Sequence, residues 1–162
     1  MLRTHYIGEL RQPLGGSVRI TGWVERVKEV GRLRFIWIRD KTGIAQVTVS
    51  KENKALFEKT ADLRLHDFIL VTGKLAEKPI AKVGVEIIPT EVKVLSKAET
   101  PLPIDVTGHI RSILSTRLDW RPIDLRNPKN AAILKIQATL VEGMQEYLNS
   151  NGFLQVFTPC II

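Results

Sequence analysis

Leu33-Arg34-Phe35-Ile36-Trp37-Ile38-Arg39-Asp40 separates into two interleaved sets, with Arg34, Ile36 and Ile38 in one and Leu33, Phe35, Trp37 and Arg39 in the other. Successive side chains of a strand point to opposite faces, so this spacing predicts a β-strand on which Phe35 and Trp37 share a face. Upstream, residues 18 to 28 repeat the period of two around Gly22, where a bulge or bend costs little. Gly31 marks the turn between the two runs. Downstream, Asp40-Lys41-Thr42-Gly43 is a turn signal, followed by a third strand over 44 to 49. Leu56, Phe57, Ala61 and Leu63 then recur at helical spacing, with Ser50 as the expected N-cap. Strand patterning resumes at 68 to 75 and again at 85 to 88 with 91 to 95.

Three strands, one short helix and two further strands predict an all-β, five-stranded Greek-key barrel of the OB type over residues 1–97. Thr100-Pro101-Leu102-Pro103 cannot propagate a helix or a central strand, and 98–127 is expected to be a linker or hinge. From 128 to 162 the expectation is a C-terminal amphipathic helix and a short strand. Pro128 suits the first helical turn, and Ile133, Ile136, Leu140, Met144 and Leu148 follow every three or four residues. Asn151-Gly152 suits a left-handed stop.

A chain of 162 residues with 44% hydrophobic content supports one core and a small second element. Its net charge of +7 is uneven: residues 1 to 100 hold 18 Lys and Arg against 12 Asp and Glu, and the remainder 6 against 5. A basic surplus of this kind suits a polyanion, because cations facing phosphates release condensed counterions. No apolar run is long enough to span a membrane and the N-terminus lacks a signal core, which predicts a cytoplasmic protein without membrane association. Cys160 is the sole cysteine, so no intrachain disulfide is available, and neither a metal site nor a catalytic constellation is expected.

The outer face of the second and third strands of an OB barrel is the usual platform for nucleobases. Phe35 and Trp37 fit such a platform and equally fit the filling of a barrel. Gln46 both donates and accepts, as the reading of a base edge requires. Arg26, Lys28, Arg32 and Arg34 form either a phosphate-facing patch or the charged protection of a strand edge. On pattern alone both roles stay open.

Gly22-Trp23-Val24, Gly31, Phe35, Ile38-Arg39-Asp40, Gly43-Ile44 and Gln46 resemble the anticodon-binding domain of aspartyl-tRNA synthetases and their asparaginyl relatives. The resemblance continues through Ala98-Glu99-Thr100-Pro101-Leu102-Pro103, Arg117-Leu118-Asp119 and Asp124-Leu125-Arg126-Asn127-Pro128. It ends on residues 151 to 159, from Asn151-Gly152-Phe153 to Phe157-Thr158-Pro159, which are similar to motif 1 of class II synthetases. The resemblance implies that Phe35 stacks on the central anticodon uridine, that Gln46 hydrogen-bonds it, and that Arg26 and Lys28 contact the anticodon strand. Trp23 and Trp37 are then packing residues. It also implies a homodimer through motif 1, with Leu140, Met144, Phe157 and Pro159 at the interface.

ATP and Mg²⁺ serve the full-length family through motifs 2 and 3, which this sequence does not contain; no cofactor and no aminoacylation are expected of these 162 residues. Archaeal-type relatives commonly carry tryptophan where this chain has Glu25, and lysine where it has Ile80, in the segment that includes Lys82. Both positions bear on the flanking anticodon bases, so the choice between tRNA of the Asp and Asn types is left open. Pro122 and Gln155 also depart from the family pattern. The alternative function is a stand-alone, truncated, synthetase-like protein that binds tRNA or single-stranded nucleic acid generically.

Overall fold

The computed structural model describes residues 2–10, 16–76 and 84–159. Five strands, β1 (Val18–Val30), β2 (Leu33–Arg39), β3 (Ile44–Ser50), β4 (Phe68–Leu75) and β5 (Glu86–Ser96), close a barrel in the order β1-β2-β3-β5-β4. All neighbours are antiparallel except β3 and β5, where Gln46 faces Glu86 and Val47 faces Ile87 in parallel register.

β1 serves two neighbours, pairing through 18–23 with β4 and through 23–30 with β2. The strand changes partner beside a bulge between Val24 and Arg26, three residues past the glycine expected to host it. Gly22 instead permits a close approach, since a Cβ there would lie 2.6 Å from the Arg39 carbonyl oxygen. β5 runs unbroken through Pro89 and Thr90, which lie between the two stretches of strand patterning, 85 to 88 and 91 to 95. Pro89 sits opposite Gly73, next to a register shift, where the ladder does not need its missing N–H.

Ile20, Val24, Ile36, Ile38, Val47, Ile69, Val71 and Ile87 point inward and are fully buried. Each such side chain contributes roughly 1.5–3 kcal/mol of transfer free energy, so alternation on this scale is what selects the barrel. The helix α1 (Lys54–Lys59) packs beside β3 and β5. Its N-cap is Asn53, whose side chain accepts from the Leu56 N–H at 3.2 Å. Ser50, the expected cap, is still paired with Leu33 as the last residue of β3. The Asp40 carboxylate closes the β2–β3 turn, accepting from the N–H groups of Thr42 (2.7 Å) and Gly43 (3.0 Å). It also accepts from Ile7 N–H at 2.8 Å, fixing the N-terminal segment that plugs the barrel with Ile7 and Leu10.

The chain divides into two compact units, Met1–Thr100 and Pro101–Ile162. In the second, the stretch expected to be a linker carries two short helices, α2 (Leu114–Asp119) and α3 (Arg121–Asp124). Asp124 is 4% exposed and organises them, accepting from Arg117 Nε (2.8 Å), Arg121 Nη1 (2.6 Å) and Asn130 Nδ2 (2.8 Å). The Arg117 hydrogen bond, followed by the charges of both arginines, holds its carboxyl below the ordinary aspartate range.

α4 (Pro128–Ser150) begins on Asn127, whose side chain accepts from the Lys129 N–H at 2.9 Å, with Pro128 in the first turn. It ends in a Schellman motif: Gly152 has φ 82°, its N–H reaches the Asn149 carbonyl, and Phe153 N–H reaches the Leu148 carbonyl, both at 3.1 Å. The short strand expected after α4 is absent from 153–159, which has no regular secondary structure. A strand needs a partner for its N–H and C=O groups, and the second unit contains no other strand among the described residues.

Candidate nucleic-acid interface

The strand register places two rows of side chains on the outer face of β1, β2 and β3. In one row Lys28, Phe35 and Thr48 lie opposite one another; in the next are Arg26, Trp37, Gln46 and, on β5, Glu86. Directly opposed residues share a sheet face, so β2 presents its aromatics outward while Arg34, Ile36 and Ile38 point into the barrel. Phe35 and Trp37 are half-buried, with ring centroids 6.1 Å apart and planes inclined at 42°. Trp37 was expected to be a packing residue; it stands half-buried on the same outward face as Phe35. The Arg26 guanidinium carbon lies 5.5 Å from the Trp37 ring centroid, a cation–π approach that leaves the arginine exposed.

Behind the aromatics is a polar set. Gln46 is 6% exposed, and its Nε2 faces Thr48 Oγ1 at 3.4 Å and Glu86 Oε1 at 3.5 Å. Thr48 donates its hydroxyl to the same Glu86 carboxylate. Thr48 and Glu86 escaped notice in the sequence, although Thr48 is two residues from Gln46 and therefore in phase with it. Glu86 enters through the parallel β3–β5 pairing, which no local pattern reveals. Beside this set a cavity of about 350 Å³ opens, lined by Leu33, Thr48, Leu56, Glu86, Ile88 and Pro89 among others.

The cations divide. Arg26 and Lys28 are exposed beside Trp37 and Phe35, and Arg32 is exposed in the two-residue β1–β2 turn, where Gly31 takes φ 60°. Arg34 does not belong with them. It is 8% exposed and its guanidinium is engaged by the Phe57 carbonyl, by Thr60 Oγ1 at 2.9 Å and by Glu29 at 2.9 Å, with the Phe57 ring 3.9 Å away. The expected phosphate-facing role of Arg34 is thereby corrected: it is a strut between β2 and α1. Glu29 in turn is bonded by Lys51 and Arg34, which lower its pKa. Glu25, where archaeal-type relatives commonly carry tryptophan, is ion-paired with Arg39. Ile80 and Lys82 lie outside the described residues.

Two family models match the chain: an OB-fold nucleic acid binding domain over residues 18–95, and class II tRNA synthetases (D, K and N) over 114–162. An aspartate–tRNA(Asp) ligase of Pyrococcus horikoshii is 46% identical over 165 aligned positions that take in 100% of this chain. The chain belongs to the aspartyl- and asparaginyl-tRNA ligase family. An aspartate–tRNA(Asp/Asn) ligase of Saccharolobus solfataricus is 42% identical over 163 positions, again across 100% of the chain. The asparaginyl-tRNA synthetase of Pyrococcus horikoshii, in its crystal structure, matches 98% of the chain with a TM-score of 0.85 at 32% identity. The chain spans 38% of the length of each of these three proteins. The barrel is the family's anticodon-binding OB domain, and residues from 114 onward are the start of its class II synthetase domain. The two cross-strand rows lie on the outer face of that domain.

The second unit exposes a run of apolar side chains. Leu140 is 63% exposed, Met144 57% and Phe157 85%, and Pro159 is also exposed. No residue of α4 is buried. No described helix is long and apolar enough to cross a membrane.

Proposed function

We propose that the outer face of β1, β2 and β3 binds the anticodon loop of a tRNA of the Asp or Asn type. A base stacks on Phe35, with Trp37 extending the aromatic surface. The central anticodon base implied by the family resemblance is a uridine, whose N3–H is a donor between two carbonyl acceptors. Gln46 has its amide nitrogen turned to Thr48 and Glu86, so its amide oxygen is the group available to accept from such a donor. Arg26, Lys28 and Arg32 meet the phosphates on either side. The observation that carries this function is the pair of cross-strand rows, in which cation, aromatic and hydrogen-bonding side chain follow one another on adjacent strands.

Aminoacylation with ATP and Mg²⁺ is proposed for the whole protein, as in the family. Among the described residues no group of three or more His, Cys, Asp or Glu side chains is placed to hold a metal ion, and no step of that reaction is assigned to them. The exposed stripe of α4, through Leu140 and Met144, together with Phe157 and Pro159, is proposed as the homodimer interface. The test of the anticodon function is Phe35→Ala: removal of one stacking surface costs about 1–3 kcal/mol in tRNA binding. Unchanged affinity would remove Phe35 from the interface.

A further inference from the structure

Where β1 leaves β4 for β2, a corner of the chain at His66–Asp67 takes over its pairing. Trp23 is the last residue of β1 to face β4, opposite Phe68. Val24 follows, and both of its backbone polar groups go to the corner. Its N–H donates to the Asp67 carbonyl at 2.9 Å, and its carbonyl accepts from the His66 N–H at 2.7 Å. His66 has φ 71°, a left-handed conformation uncommon outside glycine. The corner is fastened by Asp67, 1% exposed, whose carboxylate accepts from the Arg64 N–H at 2.9 Å and from the Ala98 N–H at 2.8 Å.

We propose that Asp67 is a positioning residue for RNA binding: by holding this corner on Val24 it fixes the β1 bulge, and the bulge turns Arg26 and Lys28 onto the platform. The inference rests on the function proposed above, that this face binds single-stranded RNA. Side chains of a strand alternate, so a shift of one residue exchanges its two faces. The register is regular up to Val24 opposite Ile38; Glu25 is then passed over, and Arg26 pairs with Trp37 and Lys28 with Phe35. Continued without the extra residue, the same pairing would set Glu25 opposite Trp37 and Val27 opposite Phe35. Arg26 and Lys28 would then point into the barrel, beside Ile36 and Arg34. RNA would meet a carboxylate and an isopropyl group in place of two cations. In the observed register Val27 packs against the core instead. Gly22, the residue of β1 that accommodates a bulge most cheaply, does not host it. The corner supplies the reason: Val24 is committed to His66 and Asp67, so pairing with β2 resumes at Arg26.

The test is the salt dependence with which the 162-residue chain binds a fluorescent oligouridylate. Measured below the melting transition, Asp67→Ala should lower affinity about tenfold and flatten the slope of log K against log salt by about 1.4, roughly 0.7 for each cation lost from a single strand. The double variant Arg26→Ala, Lys28→Ala should flatten it equally, and adding Asp67→Ala to that pair should change neither slope nor affinity further. A residue that only stabilises the fold acts independently of the two cations. A wild-type slope in Asp67→Ala, or full additivity of the losses in the triple variant, would therefore overturn the proposal. Should Asp67→Ala not fold, hydrogen exchange of the wild-type protein decides. With RNA about 100-fold above its Kd, the amides of Val24, His66 and Ala98 should exchange about a hundredfold more slowly. Unchanged exchange at all three contradicts the role given to the corner. Phe35→Ala separates the two levels. If it binds as well as wild type does, the platform itself is wrong; if it binds weakly while Asp67→Ala keeps the wild-type slope, only the role of Asp67 is.

Discussion

Phe35 and Trp37, two residues apart on β2, both face out of the barrel with their ring centroids 6.1 Å apart. Each has a cation opposite on β1, Lys28 for Phe35 and Arg26 for Trp37. The arrangement predicts that the two aromatics contribute to RNA binding unequally. Arg26 already leans over Trp37, so Trp37→Ala should weaken binding less than Phe35→Ala, whose loss is about 1–3 kcal/mol. Fluorescence titration of both variants with one anticodon stem-loop checks the order, and thermal melting should find both barrels close to wild type.

Arg34 gives the opposite expectation. Its guanidinium bonds the Phe57 carbonyl and Thr60 across to α1, and Glu29 on β1, so Arg34→Ala should destabilise the barrel by about 2–3 kcal/mol for the three lost bonds. Its effect on RNA affinity, measured below the melting transition, should be small. Chemical denaturation followed by Trp fluorescence reads the first quantity and stem-loop titration the second.

The contrast between these residues shows what was legible in the sequence. Period-two alternation revealed β2 because burial of Ile36 and Ile38 requires it, and the same phase places Arg34 inside with them. The charge of Arg34 argued for the surface, while its partners, Phe57 and Thr60, sit more than twenty residues downstream, where no local pattern reaches. Arg39 was in phase with Phe35 and Trp37, but its tie to Glu25 depends on a bulge whose position only the pairing of three strands fixes. Gly152 was legible as a stop because its φ of 82° is one that glycine adopts without cost. Ser50 misled as a cap because its pairing with Leu33 kept it in the sheet.

Asp124 sets a pH dependence in the second unit. Arg117 and Arg121 lower its folded-state pKa, so it contributes stability that is fully present above the unfolded value of about 4. That contribution is lost as pH falls through the lowered folded value. Thermal melts at pH 7 should find Asp124→Asn less stable than wild type, and the gap should narrow as the pH drops below 4. A gap that does not change with pH would mean the carboxylate's charge is not what organises α2, α3 and α4.

The apolar surface of α4 predicts self-association. Met144→Asp, at a position 57% exposed, should leave the barrel intact and shift sedimentation toward monomer at concentrations where wild type dimerises. Identical sedimentation of the two proteins would exclude Met144 from the contact.

Titration of the chain with an anticodon stem-loop of the Asp type, alongside an unrelated stem-loop of equal length at matched salt, tests the central claim most directly. The cognate loop should bind more tightly, and Phe35→Ala should remove most of that preference while retaining the salt-dependent contribution of Arg26, Lys28 and Arg32. Equal affinity for the two stem-loops, or a preference untouched by Phe35→Ala, would contradict anticodon recognition on this face and leave generic binding of nucleic acid in its place.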